Sequence, residues 1–363
     1  MNRLDHKIVD SIDLIDESVW NSIFGDMAEG YHFYKTLEES RLIQFTFHYS
    51  IISDSSGIIA IAPLFTATLD LVITAKGFFK AMTGRLRRIR PGLLMTKTLF
   101  CGSPFGENGS LGIRKDWQDK KRLMNALVDS MQGLAKRENA GFIVFKDFLK
   151  EHLHIVDTLK RRGFARTNSL PSVSMEVGFG SLDDYFGTLS HSRRKEMRRK
   201  IRKAVVEGRL EVRVTDEIDH MADDIYRLYM NTYLAGDTKF ELLTKDFFIN
   251  ITKRLKPKAK YFLYYINEKL AAFNLCFEHG DRLIDKFIGF DYTVSKEYNL
   301  YFVSWCYNIE HCLNSSIRHY QTGQTDYAPK ISLGGKHIPL YAYMKHRNPV
   351  YDIMLKSLSR IAT

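Results

Sequence analysis

The chain reads as an α/β (α+β) protein with two domains in series. Three observations predict this. Its 363 residues exceed what one ordinary core accommodates. A hydrophobic content of 45%, with 13% aromatic residues, is ample for packed interiors. The same order of elements (helix, helix, a meander of strands, helix, strand) occurs twice without any residue-level repeat.

Taken in order, residues 17–40 read as helical, with a break over 26–30. The β-rich runs 43–52 and 58–68 flank Ser53, Asp54, Ser55, Ser56 and Gly57, a hairpin composition. A basic insert follows over 71–97, its cationic part ended by Pro91. Residues 98–102 form a short strand that runs into the turn-rich Cys101-Gly102-Ser103-Pro104-Phe105-Gly106. A helix over 115–137, a buried strand over 142–145, a helix to 162 and a strand over 173–177 complete the first half. The second half offers a strand at 210–214 and helices at 218–233 and 244–255. Strands at 261–266, 270–278 and 282–290 come next, separated by Asn267-Glu268-Lys269 and His279-Gly280-Asp281. A helix over 300–313, a strand over 317–321, a Gly-rich loop and a strand near 338–343 end the series. The expected domains are 1–180, carrying the insert, and 209–363, joined by a cationic helix within 181–208.

The formal charge of +11 is concentrated in two places. Lys76, Lys80, Arg85, Arg87, Arg88, Arg90 and Lys97 stand in 71–106 with no acid. Residues 190–203 carry eight Lys/Arg against one Glu. There Ser190 or Ser192 can cap a helix start, and Met197, Ile201, Ala204 and Val205 form a narrow apolar stripe. So dense a field is either a solvated helix face or one that meets the phosphate of a nucleotide cofactor, a lipid headgroup or RNA. DNA is not expected. In the insert, Phe78, Phe79, Met82, Leu86, Ile89, Leu93 and Leu94 alternate with the cations, as in a helix lying on anionic lipid. The plain alternative is a helix packed on the first domain. Cys101, Cys276, Cys306 and Cys312 lack metal or redox spacing and suggest a reducing compartment. Met-Asn-Arg-Leu-Asp-His-Lys at the start has no apolar signal core. The expected location is cytoplasmic, peripheral on the inner face of the cytoplasmic membrane.

No Walker loop, dinucleotide fingerprint, nucleophile elbow or zinc spacing is present, which argues against a metal and against a covalent Ser or Cys intermediate. On 282–290, alternation puts Leu283, Asp285, Phe287 and Gly289 on one face, while Asn274 and Cys276 share a face of the preceding strand. A half-buried Asp285 is costly unless paired. The plain reading is a salt bridge to Lys286 or Arg282; the functional one is a general base or orienter for an amine, with Glu278 as competing candidate. The second locus is Gln321-Thr322-Gly323-Gln324-Thr325-Asp326-Tyr327-Ala328-Pro329-Lys330, at a strand's C-terminal end, where α/β sheets bind ligands. Its plain reading is a solvated turn.

Three segments carry a family resemblance: Leu189-Ser190-x-x-Arg193-Arg194-Lys195-x-x-Arg198-Arg199, Ile288-Gly289-Phe290-Asp291-Tyr292 and Gly323-Gln324-x-x-Tyr327-x-x-Lys330. With the order of elements they make the chain resemble the tandem-GNAT acyltransferases related to the Fem peptidoglycan aminoacyl transferases, a group with BioF2-like and bacterial ceramide-synthase-like members. The resemblance implies two GNAT-like domains, each a mixed, mostly antiparallel sheet flanked by helices. It implies an acyl thioester lying in a cleft where strands 282–290 and 317–321 splay, with backbone N–H groups polarising its carbonyl. Asp285 or Glu278 then takes the amine's proton and Tyr327 protonates the leaving thiolate, with Lys330 beside it. Gly289, Phe290, Asp291 and Asn299 would contact the cofactor, whose phosphates sit at the start of the next helix, 294–300. That stretch lacks the Gly-rich Gln/Arg-x-x-Gly-x-Gly/Ala loop of ordinary GNAT enzymes, leaving Arg193, Arg194 and Arg198 to supply phosphate contacts. Asn274, Gln321, Gly323 and Gln324 would contact the substrate. Acyl-CoA is implied as co-substrate, with nothing bound permanently and no metal. The first half has no counterpart to 323–330 and is expected to be structural, shaping the acceptor groove.

The leading expectation is an N-acyltransferase of lipid metabolism, moving a fatty acyl group from acyl-CoA to an amine on a lipid (sphingolipid included) or cell-envelope precursor. The second keeps the fold and takes an aminoacyl-tRNA as donor, although no added coiled-coil arm is visible. The third is a non-catalytic, membrane-bound binding protein on the same scaffold.

Overall fold

The computed structural model describes residues 4–70, 95–236 and 242–353. The basic insert therefore lies outside the described residues except for its last three.

Two compact units are formed. The first comprises the chain up to Asp26, Ile43–Ser169 and the stretch from Pro339 on. Its sheet has the order β1-β2-β3-β4-β6-β15-β7. These strands are β1 (Asp5–Val9), β2 (Thr46–Asp54), β3 (Gly57–Asp70), β4 (Met95–Cys101), β6 (Phe142–Leu149), β7 (Ala165–Asn168) and β15 (Leu340–His346), and β5 (Gly112–Ile113) pairs with β3. Helix α1 spans Glu17–Phe24 and α3 spans Lys120–Arg137. α3 starts later than its apolar pattern suggested because the Asp119 side chain accepts the Arg122 N–H at 2.9 Å and caps it there. Leu123, Met124, Leu127, Met131 and Leu134 bury one stripe of α3 in this unit. The helix expected up to 162 is instead a series of short turns around Leu153–Val156, closed by Gly163 in the left-handed region.

The second unit comprises Met27–Leu42 and Leu170–Ile338. Its sheet runs β14-β8-β13-β12-β11-β10-β9. These are β8 (Ser172–Glu176), β9 (Glu211–Thr215), β10 (Ala259–Ile266), β11 (Lys269–His279), β12 (Arg282–Phe290), β13 (His319–Gln321) and β14 (Lys336–Ile338). One side carries α2 (Tyr31–Glu39), α6 (Ala222–Ala235) and α7 (Lys245–Leu255); the other carries α4 (Leu182–Thr188), α5 (His191–Arg202) and α8 (Leu300–Asn314). A short α9 covers Tyr327–Ser332, where a plain loop was expected.

The expected boundaries at 180 and 208 both fall inside the second unit. Strand β8, read with the first half, pairs with β13 and β14, and β15, read with the second half, lies between β6 and β7. Both sheets are mixed: β4–β6 and β12–β13 run parallel, and the other pairs among the described strands are antiparallel. Each parallel pair is separated in sequence by a long helix, α3 or α8, as a crossover requires. Among the described residues no helix is long and apolar enough to cross a membrane.

Candidate active site

The two parallel pairs end differently. In the first unit β4 stays paired with β6 through its last residue, Cys101 opposite Phe145. In the second, β12 pairs with β13 only through Arg282, Leu283 and Ile284, then runs on from Asp285 to Phe290 without a β13 partner. The strands part as a fork, and Asp285 stands at its base.

A bulge sets which side chains face the α8 side of this fork. Leu275 lies opposite Phe287 and Cys276 opposite Asp285, so Lys286 is an extra residue in β12. Leu283, Asp285, Ile288 and Phe290 therefore share the face of Asn274 and Cys276. This corrects simple alternation, which placed Phe287 and Gly289 with Asp285. Phe287 instead meets Phe247 and Phe248 of α7. At Gly289 a Cβ would come 2.3 Å from the Phe273 ring and 2.7 Å from the Leu228 backbone, so glycine lets α6 approach the strand. The Lys286 ammonium turns to the same side, 2.7 Å from the Glu29 carboxylate and 5.8 Å from the Phe33 and Phe277 rings. Arg282, the other cation weighed as a partner for Asp285, donates to the Gln321 side-chain oxygen at 3.4 Å.

Asp285 is held from both sides. The Asn274 amide donates to one carboxylate oxygen at 2.5 Å and the Tyr320 hydroxyl to the other at 3.0 Å. The Asn308 amide of α8 donates to the Asn274 side-chain oxygen at 2.5 Å and to the Tyr320 hydroxyl at 2.8 Å. Asn274, Asn308 and Tyr320 are fully buried, so this network fixes the carboxylate's orientation within an otherwise apolar core. Burial, with the Asp285 charge next in importance, pushes the Tyr320 hydroxyl well above its ordinary range and keeps it a donor. Burial likewise pushes the Cys276 thiol up, which suits it poorly as a nucleophile.

Glu278 has other partners. The Lys260 ammonium lies 2.8 Å and His311 Nε2 2.6 Å from its carboxylate. Burial alone would raise this carboxyl, but hydrogen bonds from His311 and Lys260 outweigh it and hold it below the ordinary value. A carboxylate so engaged is a weak base.

The loop after β13 has left-handed backbone at Gly323, Thr325 and Asp326. For the β-branched Thr325 this is strained, a feature that gathers at ligand sites. The Thr322 N–H donates to the Val173 carbonyl at 2.8 Å and the Val173 N–H to the Gly323 carbonyl at 3.1 Å. The buried Lys330 ammonium donates to the Thr322 carbonyl, and the Tyr327 hydroxyl donates to the Pro171 carbonyl at 3.0 Å. Lys330 and Tyr327 thus brace the loop against the segment leading into β8. The Gln324 side-chain nitrogen is buried with no hydrogen-bond partner among the described residues.

At the far end of β12 the Phe290 N–H donates to the Thr232 hydroxyl at 3.2 Å, and its carbonyl accepts from Asn231 at 3.1 Å. Asp291 accepts from the Thr293 N–H and hydroxyl. Asn299 precedes α8 in left-handed conformation, its amide on the Glu297 carbonyl at 3.2 Å. In the first turn of α8, the Leu300 and Phe302 N–H groups go to the Ser295 and Asn299 carbonyls, which leaves fewer backbone donors for an anion than an open helix start offers. Positive charge reaches this end from α5. Ser190 caps α5, its hydroxyl accepting the Arg193 N–H at 3.3 Å, and Met197 anchors it in the core. Lys200 Nζ lies 3.2 Å from the centre of the Phe302 ring, and Lys203 lies 5.6 Å from that of Tyr298. Arg193 pairs with Glu196 and Arg198 with Asp183, whereas Arg194, Lys195 and Arg199 have no ion-pair partner among the described residues. Among the described residues no group of three or more His, Cys, Asp or Glu could hold a metal ion.

The fold thus brings Asp285, Asn274 and Gln321 to the base of the fork, sets the 323–330 loop beyond β13 and lays α5 beside the start of α8. Tyr320 and Asn308 went unnoticed in the sequence. An asparagine in the apolar run 300–309 was the available signal for Asn308; Tyr320 had none.

The sequence matches the model of the FemAB-like family, described as peptidoglycan biosynthesis/recognition, over residues 11–334. The solved structure of FemX is similar at a TM-score of 0.59 and 12% identity, over 96% of this chain and 99% of that one. The C-terminal domain of a putative lysylphosphatidylglycerol synthetase from Agrobacterium fabrum gives 0.55 at 10% identity, over 91% and 90%. A tandem GNAT protein of the clavulanic acid biosynthesis pathway gives 0.53 at 8%, over 96% and 99%. These likenesses are of fold. Among curated proteins, a putative 8-amino-7-oxononanoate synthase 2 of Mycobacterium tuberculosis is 25% identical over 334 residues. That match covers 90% of this chain and 43% of the relative's length.

Proposed function

The chain belongs to the FemAB-like family of peptidoglycan biosynthesis/recognition, and from that premise we propose that it is a transferase joining an acyl group to an amine of a lipid or cell-envelope precursor. The observation that carries this reading is the fork between β12 and β13, with Asp285 held at its base by Asn274 and Tyr320. The amine nitrogen attacks the activated carbonyl carbon, forming C–N as the bond to the carrier breaks. The amine's proton passes to Asp285 and from there to the departing carrier atom. Ile288, Phe290, Tyr298 and Phe302 give the α8 side an apolar wall that suits a fatty acyl chain. The donor in this reading is acyl-CoA, its phosphates met by the cations of α5. The product would be an N-acylated lipid, as in ceramide synthesis. The interleaved cations and aromatic residues of 71–97 fit a peripheral site on an anionic membrane.

A second reading takes an aminoacyl-tRNA as donor. Two observations favour it: the α8 start spends its Leu300 and Phe302 N–H groups internally, and α5 offers unpaired cations to a longer phosphate backbone.

Purified protein is incubated with palmitoyl-CoA and, separately, with charged tRNA, against amine acceptors that include long-chain amino alcohols. Thiol release with the first donor supports acyl-CoA; tRNA release alone transfers the case to the second reading. No turnover with either, together with intact cellular function when Asp285, Tyr327 and Lys330 are all replaced, would leave a binding protein. Flotation with anionic vesicles, comparing wild type with Phe78, Phe79 and Arg87 replaced, tests the membrane site; failure of both proteins to float ends that part.

A further inference from the structure

Two buried hydroxyls near the fork are left over by the network that holds Asp285, those of Tyr264 on β10 and Tyr301 on α8, and only the second lies on the helix that runs along the fork. Tyr301, Trp305 and Asn308 lie at i, i+4 and i+7 of α8 and so share one face of the helix. Two of the three are anchored by hydrogen bonds. The Trp305 indole N–H donates to the Tyr185 hydroxyl at 3.0 Å, and Asn308 holds Asn274 and Tyr320. The Tyr301 hydroxyl is buried with no hydrogen-bond partner among the described residues. A native protein rarely leaves such a donor unsatisfied, since burying it unpaired costs about 1–3 kcal/mol.

Its place along the fork follows from the course of α8. His311, near the helix's C-terminal end, reaches Glu278, which lies opposite Leu283 in the still-paired part of β12. Asn308, one turn earlier, serves the Asp285 network at the fork's base. Tyr301 lies two further turns toward the helix start, over the stretch where β12 has left β13 behind. Burial is the main cause that pushes the proton affinity of its hydroxyl up, and Asp285 and Asp326, one on each side of the fork, add to it. The hydroxyl thus stays protonated and keeps a proton to donate.

We propose that the Tyr301 hydroxyl hydrogen-bonds the carbonyl oxygen of the acyl group in transfer, making it a catalytic residue beyond Asp285. The assignment rests on the acyl-transfer reading. As the amine attacks, the carbonyl π electrons move onto oxygen, and the Tyr301 O–H faces the negative charge that develops there. The charge returns when the carrier leaves, and Tyr301 keeps its proton throughout. A donor already fixed in a buried site needs no reorganisation to do this, which is what makes such groups effective. Tyr327, whose hydroxyl serves the Pro171 carbonyl, is worse placed for the task.

The test is Tyr301→Phe, which keeps the ring and its edge-on contact with Phe302 at 5.5 Å and removes only the hydroxyl. Turnover is followed with palmitoyl-CoA and with charged tRNA against the same amine acceptors, and Tm by calorimetry. The expected result is a kcat lowered about 100- to 1,000-fold, KM values little changed, and a Tm equal to or above wild type because an unsatisfied buried group has gone. A wild type that turns over and a variant that matches it overturn the assignment and leave acyl transfer standing. Lost turnover with a clearly lowered Tm marks the hydroxyl as structural and also overturns it. A wild type inactive with both donors removes the acyl-transfer reading and this assignment with it.

Discussion

Asp285 is the first residue of β12 past its pairing with β13, and the hydroxyl of Tyr320, on β13 itself, donates to its carboxylate over 3.0 Å. The two strands are thus tied by a side-chain bond at the place where their backbones let go. Asp285→Asn keeps the size of the side chain and removes the proton acceptor. It is expected to lower acyl transfer by about 100- to 10,000-fold and also to lower Tm, because the new amide N–H2 faces one of the two buried donors to the carboxylate, in steady-state assays and calorimetry run side by side.

Tyr320→Phe removes one donor to Asp285 and one acceptor for Asn308, both buried. A loss of about 1–3 kcal/mol is expected, read as a shift of the urea midpoint with unchanged slope. A midpoint equal to wild type would show that the network does not stabilise the second unit.

The Glu278 ion cluster makes stability depend on acid. With its folded-state value held below the ordinary 4.5 by His311 and Lys260 against the pull of burial, the folded protein binds this proton more weakly than the unfolded chain. Its contribution is present above that ordinary value and lost as pH falls through the lower folded-state one. Glu278→Gln should therefore lower Tm at neutral pH, and its deficit relative to wild type should shrink on going to about pH 3. Calorimetry across the range decides.

At Gly289 an added methyl would strike the α6 backbone, which cannot move aside as a flexible side chain can. Gly289→Ala is expected to destabilise by about 1–3 kcal/mol and to impair activity with every donor alike. A stable variant with altered donor preference would instead place Gly289 at the cofactor.

Arg194, Lys195 and Arg199 can be replaced by Gln together without breaking an ion pair among the described residues. Tm should hold, while the KM for the donor rises and its dependence on salt weakens. Unchanged KM and salt dependence would separate α5 from the donor.

The sequence made most local features legible, because helix stripes, caps and turn compositions act over a few residues. The three-strand meander 259–290, the long helix after it and the cationic helix capped by Ser190 all lie where their patterns put them. Asp285 stood out because a carboxylate is foreign to such a strand. What stayed hidden depends on distant partners. The bulge at Lys286 turns Phe287 and Gly289 away from Asp285, and its ammonium is matched by Glu29, far off in sequence. The destinations of β8 and β15 are likewise set by strands more than a hundred residues away. The loop at 322–326 holds Thr325 at a positive φ that its β-branched side chain disfavours, so turn statistics could not foresee it.

The position of β15 between β6 and β7 bears on how the protein can be made. Residues 340–346 leave the ribosome after every other strand described, yet one of their neighbours, β7, was translated more than a hundred residues earlier and has no other partner in the sheet. The first unit cannot finish folding while the second is being synthesised, and its half-built edge must wait exposed. A nascent chain arrested before residue 339 should accordingly be open to proteases at 165–168, and release of the finished chain should close that window.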